Sequence, residues 1–523
     1  MPKKITLVLS PKQAADSKLY SSIATKKLGI DERNVALIRV VKRSVDARQR
    51  AVKINLTLEI FEDHEREPDP VHFEYGDVSK ATEVVVIGAG PAGLFAALRL
   101  IELGLRPIVI ERGRVVSLRK QDVAQINRGG EVNGDSNYAF GEGGAGTFSD
   151  GKLFTRSKKR GDYNRALQCL VFHGASPDIL FEAHPHIGTD KLPRVMTNMK
   201  QSIIDAGGEV LFERRVTDLI LKGGAIGGVC CGEERIEAAA VVLATGHSAA
   251  DIYELLHRRG VRIEAKPFAM GLRIEHPQAL IDSIQYSLAE GQIRGEYLSA
   301  ANYSLVSQQR GRGVYSFCMC PGGFIVPAMT DAQQSVVNGM SPSHRNSPYA
   351  NSGLVTEVRL SDFEHLRERW GELSGLKYQQ WLEMEARKNG GDKQIAPAQC
   401  VADFVQGRSS RSLVSTSYIP GVTSTRFERW LPDYMSSALR GGLVEFGRRM
   451  RGFVSNEAMV LGVESRTSSA VRVPRDAQTL QHPDVVGLFP TGEGAGYAGG
   501  IISAALDGER VAQAAASLVR SGS

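Results

Sequence analysis

Hydrophobic and polar positions in this chain follow two rhythms, and one stretch combines them in an informative order. The run Val84-Val85-Val86-Ile87 has no polar alternation, as expected of a strand buried on both faces. Gly88-Ala89-Gly90-Pro91-Ala92-Gly93 interrupts it, an apolar helical pattern follows, and a second apolar run, Pro107 to Ile110, ends in Glu111. Strand, glycine turn, helix, strand and acid in that order read as a dinucleotide-binding βαβ unit. Gly88 permits the tight turn. Gly90, with Pro91 and Ala92 opening the helix, lets the backbone approach a pyrophosphate, and Gly93 lets helix and strand pack closely. The helix N-terminus aims its N–H groups and positive dipole end at the phosphates. Glu111 is placed to accept hydrogen bonds from both ribose hydroxyls of an adenosine, and its charge argues against a 2′-phosphate. Arg112 follows it in the candidate cofactor set.

Ahead of this unit, residues 1–78 read as a small α/β domain. Strands are predicted at Ile5–Leu9, Val35–Val41 and Val52–Phe61, with a helix at Ser17–Leu28. Glu62 to Pro70 reads as a charged linker, and Lys42 to Arg50 as a basic loop between strands that could contact RNA or a phosphorylated ligand. Beyond the βαβ unit, Arg119 lies in a helical segment where a basic side chain could meet a pyrophosphate. The stretch from Gly130 to Thr155 is the most glycine-dense in the chain. No apolar strand precedes it, so it is not a second fingerprint. Gly144, Gly146 and Thr147 there suit close approach of backbone to a flat ligand, the alternative being a mobile surface loop.

A helix at Lys191–Ala206 and a strand at Glu209–Phe212 come next. Val216–Leu221, Gly227–Cys230 and Ile236–Leu243 then read as a three-stranded meander ending in Ala244-Thr245-Gly246. Val216 is expected at the adenine edge and the Ala244–Gly246 turn beside the pyrophosphate. From 261 to 453 strands and helices mix, which reads as an inserted α+β cap or substrate domain. It has strands at Phe268–Ile274, Val314–Cys318, Phe324–Pro327 and Gly353–Leu360. Its helices are predicted at Asp362–Glu372, Tyr378–Arg387 and Leu439–Arg451, with a long loop at Arg408–Arg426. Residues 454–523 return to the nucleotide domain begun at 79. There a strand at Val485–Phe489 leads through Gly492 and Glu493 to Gly500, Ile501 and an alanine-rich helix. That helix N-terminus could stabilise negative charge developing on a reduced redox ring.

Composition narrows the classes. No apolar stretch approaches the ~20 residues of a membrane-spanning helix, and the lysine-bearing N-terminus lacks a signal-peptide pattern. Six cysteines in 523 residues make no disulfide framework, so a cytoplasmic location is expected. A net charge of +6 suits an anionic cofactor and is too small to argue for nucleic acid by itself.

The Gly88–Gly93 turn with Glu111, the Ala244–Gly246 turn and the segment Pro490-Thr491-Gly492-Glu493-Gly494 together resemble flavoproteins of the glutathione-reductase and hydroxybenzoate-hydroxylase type. In these, three such segments bind FAD in chain order. More narrowly, Phe140–Leu153, Pro185–Gly188, Phe317–Gly323 and Glu464–Ser469 resemble the bacterial FAD-dependent dehydrogenases often called "NAD-utilising". The resemblance covers nearly the whole chain. It implies an α/β FAD-binding Rossmann-like domain of the three-layer ββα kind with an inserted cap domain and FAD as cofactor; noncovalent binding of the flavin is expected. It places Glu493 where many relatives carry a ribityl-binding aspartate. It implies hydride transfer between flavin N5 and an unassigned substrate.

Residues that could carry chemistry follow. In Cys318-Met319-Cys320 a regular strand would put both thiols on one face, as nucleophile, redox relay, attachment point or two buried small hydrophobes. Two thiolates alone make a poor metal site. Arg466 could anchor a carboxylate bidentately or form an interdomain salt bridge. His247 could be a general acid or base or a structural histidine, and His184 and His186 could share a polar pocket. Without a second glycine fingerprint or a Cys-x-x-Cys pair, NAD(P)H would dock transiently, or electrons would come from a carrier partner. The competing reading is an RNA- or protein-modifying flavoenzyme, or a redox-controlled binding module, using the basic N-terminal domain.

Overall fold

The computed structural model describes residues 2–49, 51–63, 65, 71–155 and 161–521. Its centre is a five-stranded parallel sheet in the order Leu488–Pro490, Val241–Leu243, Glu83–Ile87, Arg106–Ile110, Glu209–Leu211. The unbroken apolar strands are explained by burial on both faces. Val84, Val86 and Val109 enter one core with the helices Pro91–Glu102, Leu192–Asp205 and Ile501–Ser521, while Val85, Ile87 and Ile108 enter another with the antiparallel meander Asp218–Lys222, Ala225–Cys231, Glu234–Glu237. Helices, parallel sheet and meander make three layers.

The expected strand Ile236–Leu243 is two strands. Glu234–Glu237 completes the meander, and after a break Val241–Leu243 pairs in parallel with both Glu83–Ile87 and Leu488–Pro490. One straight strand cannot belong to two layers, so the chain bends at 238–240.

The inserted domain is built on a seven-stranded sheet. Its order is Val306–Gln309, Arg312–Cys320, Tyr349–Val358, Phe268–Pro277, Met459–Glu464, Ala396–Cys400, Val422–Ser424. Met459–Glu464 is thus an inner strand of this sheet, paired with Phe268–Pro277 and Ala396–Cys400. The return to the nucleotide domain falls after it and not at 454. The helix expected over Asp362–Glu372 is reduced to 3₁₀ turns and the four-residue helix Arg367–Trp370. Asp362 is bound by both Nη atoms of Arg312 (2.7 and 2.6 Å), and Gly371 turns left-handed at φ +53°.

The N-terminal domain is a three-stranded antiparallel sheet, Lys3–Leu9, Lys53–Glu62 and Val35–Asp46, with Ser17–Leu28 against it. Most of the basic stretch proves to be strand. Lys42 to Asp46 pair with Thr57 to Lys53, Arg43 lies 3.8 Å from Glu182, and Arg48 binds Asp46 at 2.6 Å. Arg50 and most of the predicted linker lie outside the described residues. Among the described residues no helix is long and apolar enough to cross a membrane.

The first and last helices of the nucleotide domain touch through backbone. A Cβ at Gly508 would come within 2.1 Å of the Ala92 carbonyl oxygen, and one at Gly93 within 1.9 Å of the Gly88 oxygen. Gly508→Ala gains about 1 kcal/mol of helix propensity, but the backbone it meets cannot yield cheaply. We expect a net loss of about 1–3 kcal/mol from overpacking, read as a lowered Tm in thermal unfolding; an unchanged or raised Tm would contradict this helix contact.

Candidate functional site

The three layers leave a crevice at the carboxyl ends of the parallel strands, where ligands bind in open α/β sheets. It encloses about 390 Å³ and continues under the seven-stranded sheet of the inserted domain. Gly88, Gly90, Pro91 and Ala92 line it from the first turn, Glu111 and Arg112 from the second strand, and Ala244, Thr245 and Gly246 from the third. Gly492, Glu493, Gly500 and Ile501 close it from the last segment, with Val216 at one end and Gly144 and Gly146 on the wall. The glycine turn and the Gly144 loop approach backbone to backbone: a Cβ on Gly144 would lie 2.9 Å from the Gly90 Cα.

Glu111 does more than face the crevice. Its buried carboxylate accepts N–H groups of Ala89 (3.0 Å), Gly113 (2.9 Å) and Gly141 (2.9 Å), tying the first turn to the glycine-dense loop. Arg112 binds Asp135 and Asp251 and stacks over Phe140 at 4.4 Å.

Arg119 and Thr147 lie outside the crevice. Arg119 is wholly buried and donates to the carbonyls of Asn137, Tyr138 and Glu142 at 2.8–3.0 Å, so no phosphate can reach it. Thr147 is likewise buried, its hydroxyl on the Glu142 carbonyl. Both shape the glycine-dense loop from behind. Gly93 also stands back from the crevice, serving helix–strand packing.

Glu493 faces His247, whose Nδ1 is 3.2 Å from its carboxylate, while His247 Nε2 lies 2.9 Å from the Arg466 carbonyl oxygen. Burial opposes ionisation of Glu493, but the hydrogen bond from His247 and the Gly500 N–H hold it below the ordinary carboxylate range. A histidine with both nitrogens engaged is held in place. His184 rests near Phe154 (5.5 Å) and His186 contacts the Ser343 carbonyl, so the two do not share a pocket.

Under the inserted domain the crevice is lined by Lys152, Phe317, Cys318, Asn338, Glu464 and Arg466. Arg466 is ion-paired with Glu383 (3.3 Å) and hydrogen-bonded to Thr330 and Gln334. Its Nη1 and the Thr467 hydroxyl are nonetheless buried without a partner. Cys318 and Cys320 are not on a regular strand. The register slips between Phe317 and Cys320, and Cys318 takes φ +45°, a bulge that turns it to the crevice while Cys320 is fully buried. Lys152 Nζ lies 3.9 Å from Cys318 Sγ, and Arg273 Nη2 lies 3.5 Å from Cys320 Sγ. The neighbouring Cys320, aided by Lys152 and Arg273 against burial, holds the Cys318 thiol well below its ordinary range. The same contact pushes Cys320 well up.

Sequence reasoning missed Lys152, Asn338 and the buried pair Arg273–Glu464 (2.8 Å). The available signal was Arg273, Glu275 and His276 inside a strand that is otherwise apolar, Phe268–Pro277. It also missed Asp507. This residue holds the last glycine segment by accepting from Thr491 Oγ1, Gly492 N–H and both Nη atoms of Arg475.

The crevice fits a flavin dinucleotide. A Cβ on Gly246, Gly499 or Gly500 would meet nothing within 4 Å, and one on Gly90 only the Gly144 Cα at 3.8 Å, so these turns present bare backbone to open space. The helix behind Gly90 has no side-chain cap, leaving its N-terminus to an anion.

Family profiles agree. Residues 82–259 match pyridine nucleotide-disulphide oxidoreductases, 267–467 match an FAD-dependent protein C-terminal-like domain, and 1–61 match a domain of unknown function. An uncharacterized protein of Clostridium beijerinckii is 40% identical over 508 residues, covering 93% of this chain and 94% of its own. A probable electron transfer flavoprotein-quinone oxidoreductase, YdiS, of Escherichia coli is 30% identical over 165 residues, 31% of this chain and 36% of its own. A solved L-proline dehydrogenase from P. horikoshii aligns over 84% of this chain and 94% of its own, at 14% identity and TM-score 0.35.

The thiol geometry gives a pH profile. Iodoacetamide alkylation of Cys318 should titrate with a midpoint well below the ordinary thiol value of 9.0. A midpoint near 9 would contradict the Lys152 and Cys320 contacts.

Proposed function

The chain belongs to the FAD-dependent oxidoreductases, and from that premise we propose that it transfers hydride between FAD and a small acidic substrate held under the inserted domain. The cofactor would be held by Gly88, Gly90, Glu111 and Val216 at the adenosine end. Gly144, Gly146, the Ala244–Gly246 turn, Gly492, Glu493, Gly500 and Ile501 would hold the remainder. When bound, FAD supplies a two-electron acceptor and donor at its ring. The protein's own residues do the rest. Helix Ile501–Ser521 begins at the crevice and brings its positive end there. Glu493 and His247 fix the turn between them.

The observation that carries the substrate class is the unpartnered, buried Arg466 Nη1 with the Thr467 hydroxyl beside it in the chain. Buried donors without acceptors cost ~1–3 kcal/mol each, a cost that a bound carboxylate would relieve. Lys152 lines the same end of the crevice and favours an anion there. Electrons would enter or leave through transient NAD(P)H or an electron-carrier protein. The E. coli relative's description as an electron transfer flavoprotein-quinone oxidoreductase supports the carrier, and no second glycine fingerprint occurs in the sequence. A nucleic-acid or protein-modifying role for the N-terminal domain is not favoured, because Arg43 and Arg48 of its basic stretch already have acidic partners.

Gly90→Val would fill the space over the first helix N-terminus and should yield colourless protein; a yellow variant with one flavin per chain overturns the cofactor placement. Arg466→Lys keeps the charge but removes Nη1. It should raise KM for an active carboxylic acid by about tenfold, the loss of about one charge-assisted hydrogen bond, with flavin content unchanged. An unchanged KM across a panel of small acids overturns the anchor.

A further inference from the structure

The two sulfur nucleophiles have no part in the reaction just described. In a regular strand residues two apart lie ~6.6 Å from each other along the axis. Here a bulge interrupts the strand between them, and Cys320 Sγ lies 3.3 Å from the Cys318 carbonyl oxygen, turned back towards its neighbour. All six cysteines of the chain are free, and no other cysteine pair brackets a single residue. The two sulfurs have unequal surroundings. Cys318 opens onto the crevice with Lys152 beside it, whereas Cys320 is fully buried, 3.5 Å from the Arg273 guanidinium. Arg273 also donates to the Cys318 carbonyl at 3.0 Å, which pins the bulge. An ionised outer thiol and a protonated inner one are the reactants that thiol–disulfide exchange needs, and the low Cys318 and high Cys320 titrations agree with that division.

We propose that Cys318 and Cys320 interconvert between dithiol and disulfide, exchanging an electron pair with the flavin bound in the same crevice. The exchange rests on the flavin reading above. In the reducing direction the S–S bond breaks as the reduced flavin anion gives up two electrons and one proton and returns to its oxidised form. One sulfur leaves as the Cys318 thiolate and the other takes the proton as the Cys320 thiol. Lys152 and Arg273 stabilise the charge that appears on sulfur. The pair therefore doubles the number of electrons the holoenzyme can hold.

The test uses the holoprotein after equilibration with excess oxidised glutathione. Denaturing alkylation and mass analysis should find the peptide carrying both cysteines unalkylated and lighter by two hydrogens. Anaerobic titration of the same sample should consume about twice as much dithionite per flavin, up to full bleaching, as Cys318→Ser/Cys320→Ser. A yellow protein whose two thiols are still alkylated overturns the couple alone. A disulfide that forms but leaves dithionite consumption equal in the two proteins overturns its exchange with the flavin. A protein that is colourless from the start overturns the flavin reading and the exchange together, whereas the mass analysis reads the thiol pair independently of colour.

Discussion

A buried carboxylate holds the crevice in shape. Glu111 accepts three backbone N–H groups, one from each of two glycine-rich segments and one from Gly113 just beyond its own strand, and each bond is charge-assisted. Burying a carboxylate is costly unless such partners are supplied. The interaction therefore works both ways: Glu111 requires the loop, and the loop is ordered by Glu111. Arg119 completes the arrangement from behind by taking three loop carbonyls. A stretch that composition alone would allow to be mobile becomes a wall of the crevice.

A second buried charge joins the inserted domain to the crevice. Arg273, at the centre of the seven-stranded sheet, is paired with Glu464 on the neighbouring strand, and both side chains are sealed from solvent. Such a pair adds little net stability, since desolvation offsets its attraction. Its consequence is positional. Arg273 reaches Asn351, the Cys318 carbonyl and Cys320 Sγ together, so the bulge that presents Cys318 is set by a rigid cation. Two residues beyond Glu464, Arg466 and its partner Glu383 on helix Ser374–Gly390 extend the charged seam along the crevice.

The elements legible in the sequence were those with strong local periodicity or strict steric demands. The βαβ unit, the closing strand–turn–helix and the helix Ser17–Leu28 are examples. Gly93 could be read as a packing glycine because its task concerns neighbours a few residues away. Arg119 could not be placed: helical spacing put it near the phosphates, but its side chain points into carbonyls of a loop eighteen and more positions later. The same holds for the split of Ile236–Leu243 and for the late return of the chain after Met459–Glu464. Strand propensity does not say which sheet a strand will join.

By itself the sequence determined that a flavin-type nucleotide fold exists here and picked out three segments that line its crevice, because glycine sterics and hydrophobic period act within a window of a few residues. Only the tertiary structure decided which polar groups face the ligand. Lys152 meets Cys318 across 166 positions, and Asp150 meets Arg345 across 195. Contacts at that separation depend on how two sheets dock, and no local pattern of hydrophobic and polar residues encodes them.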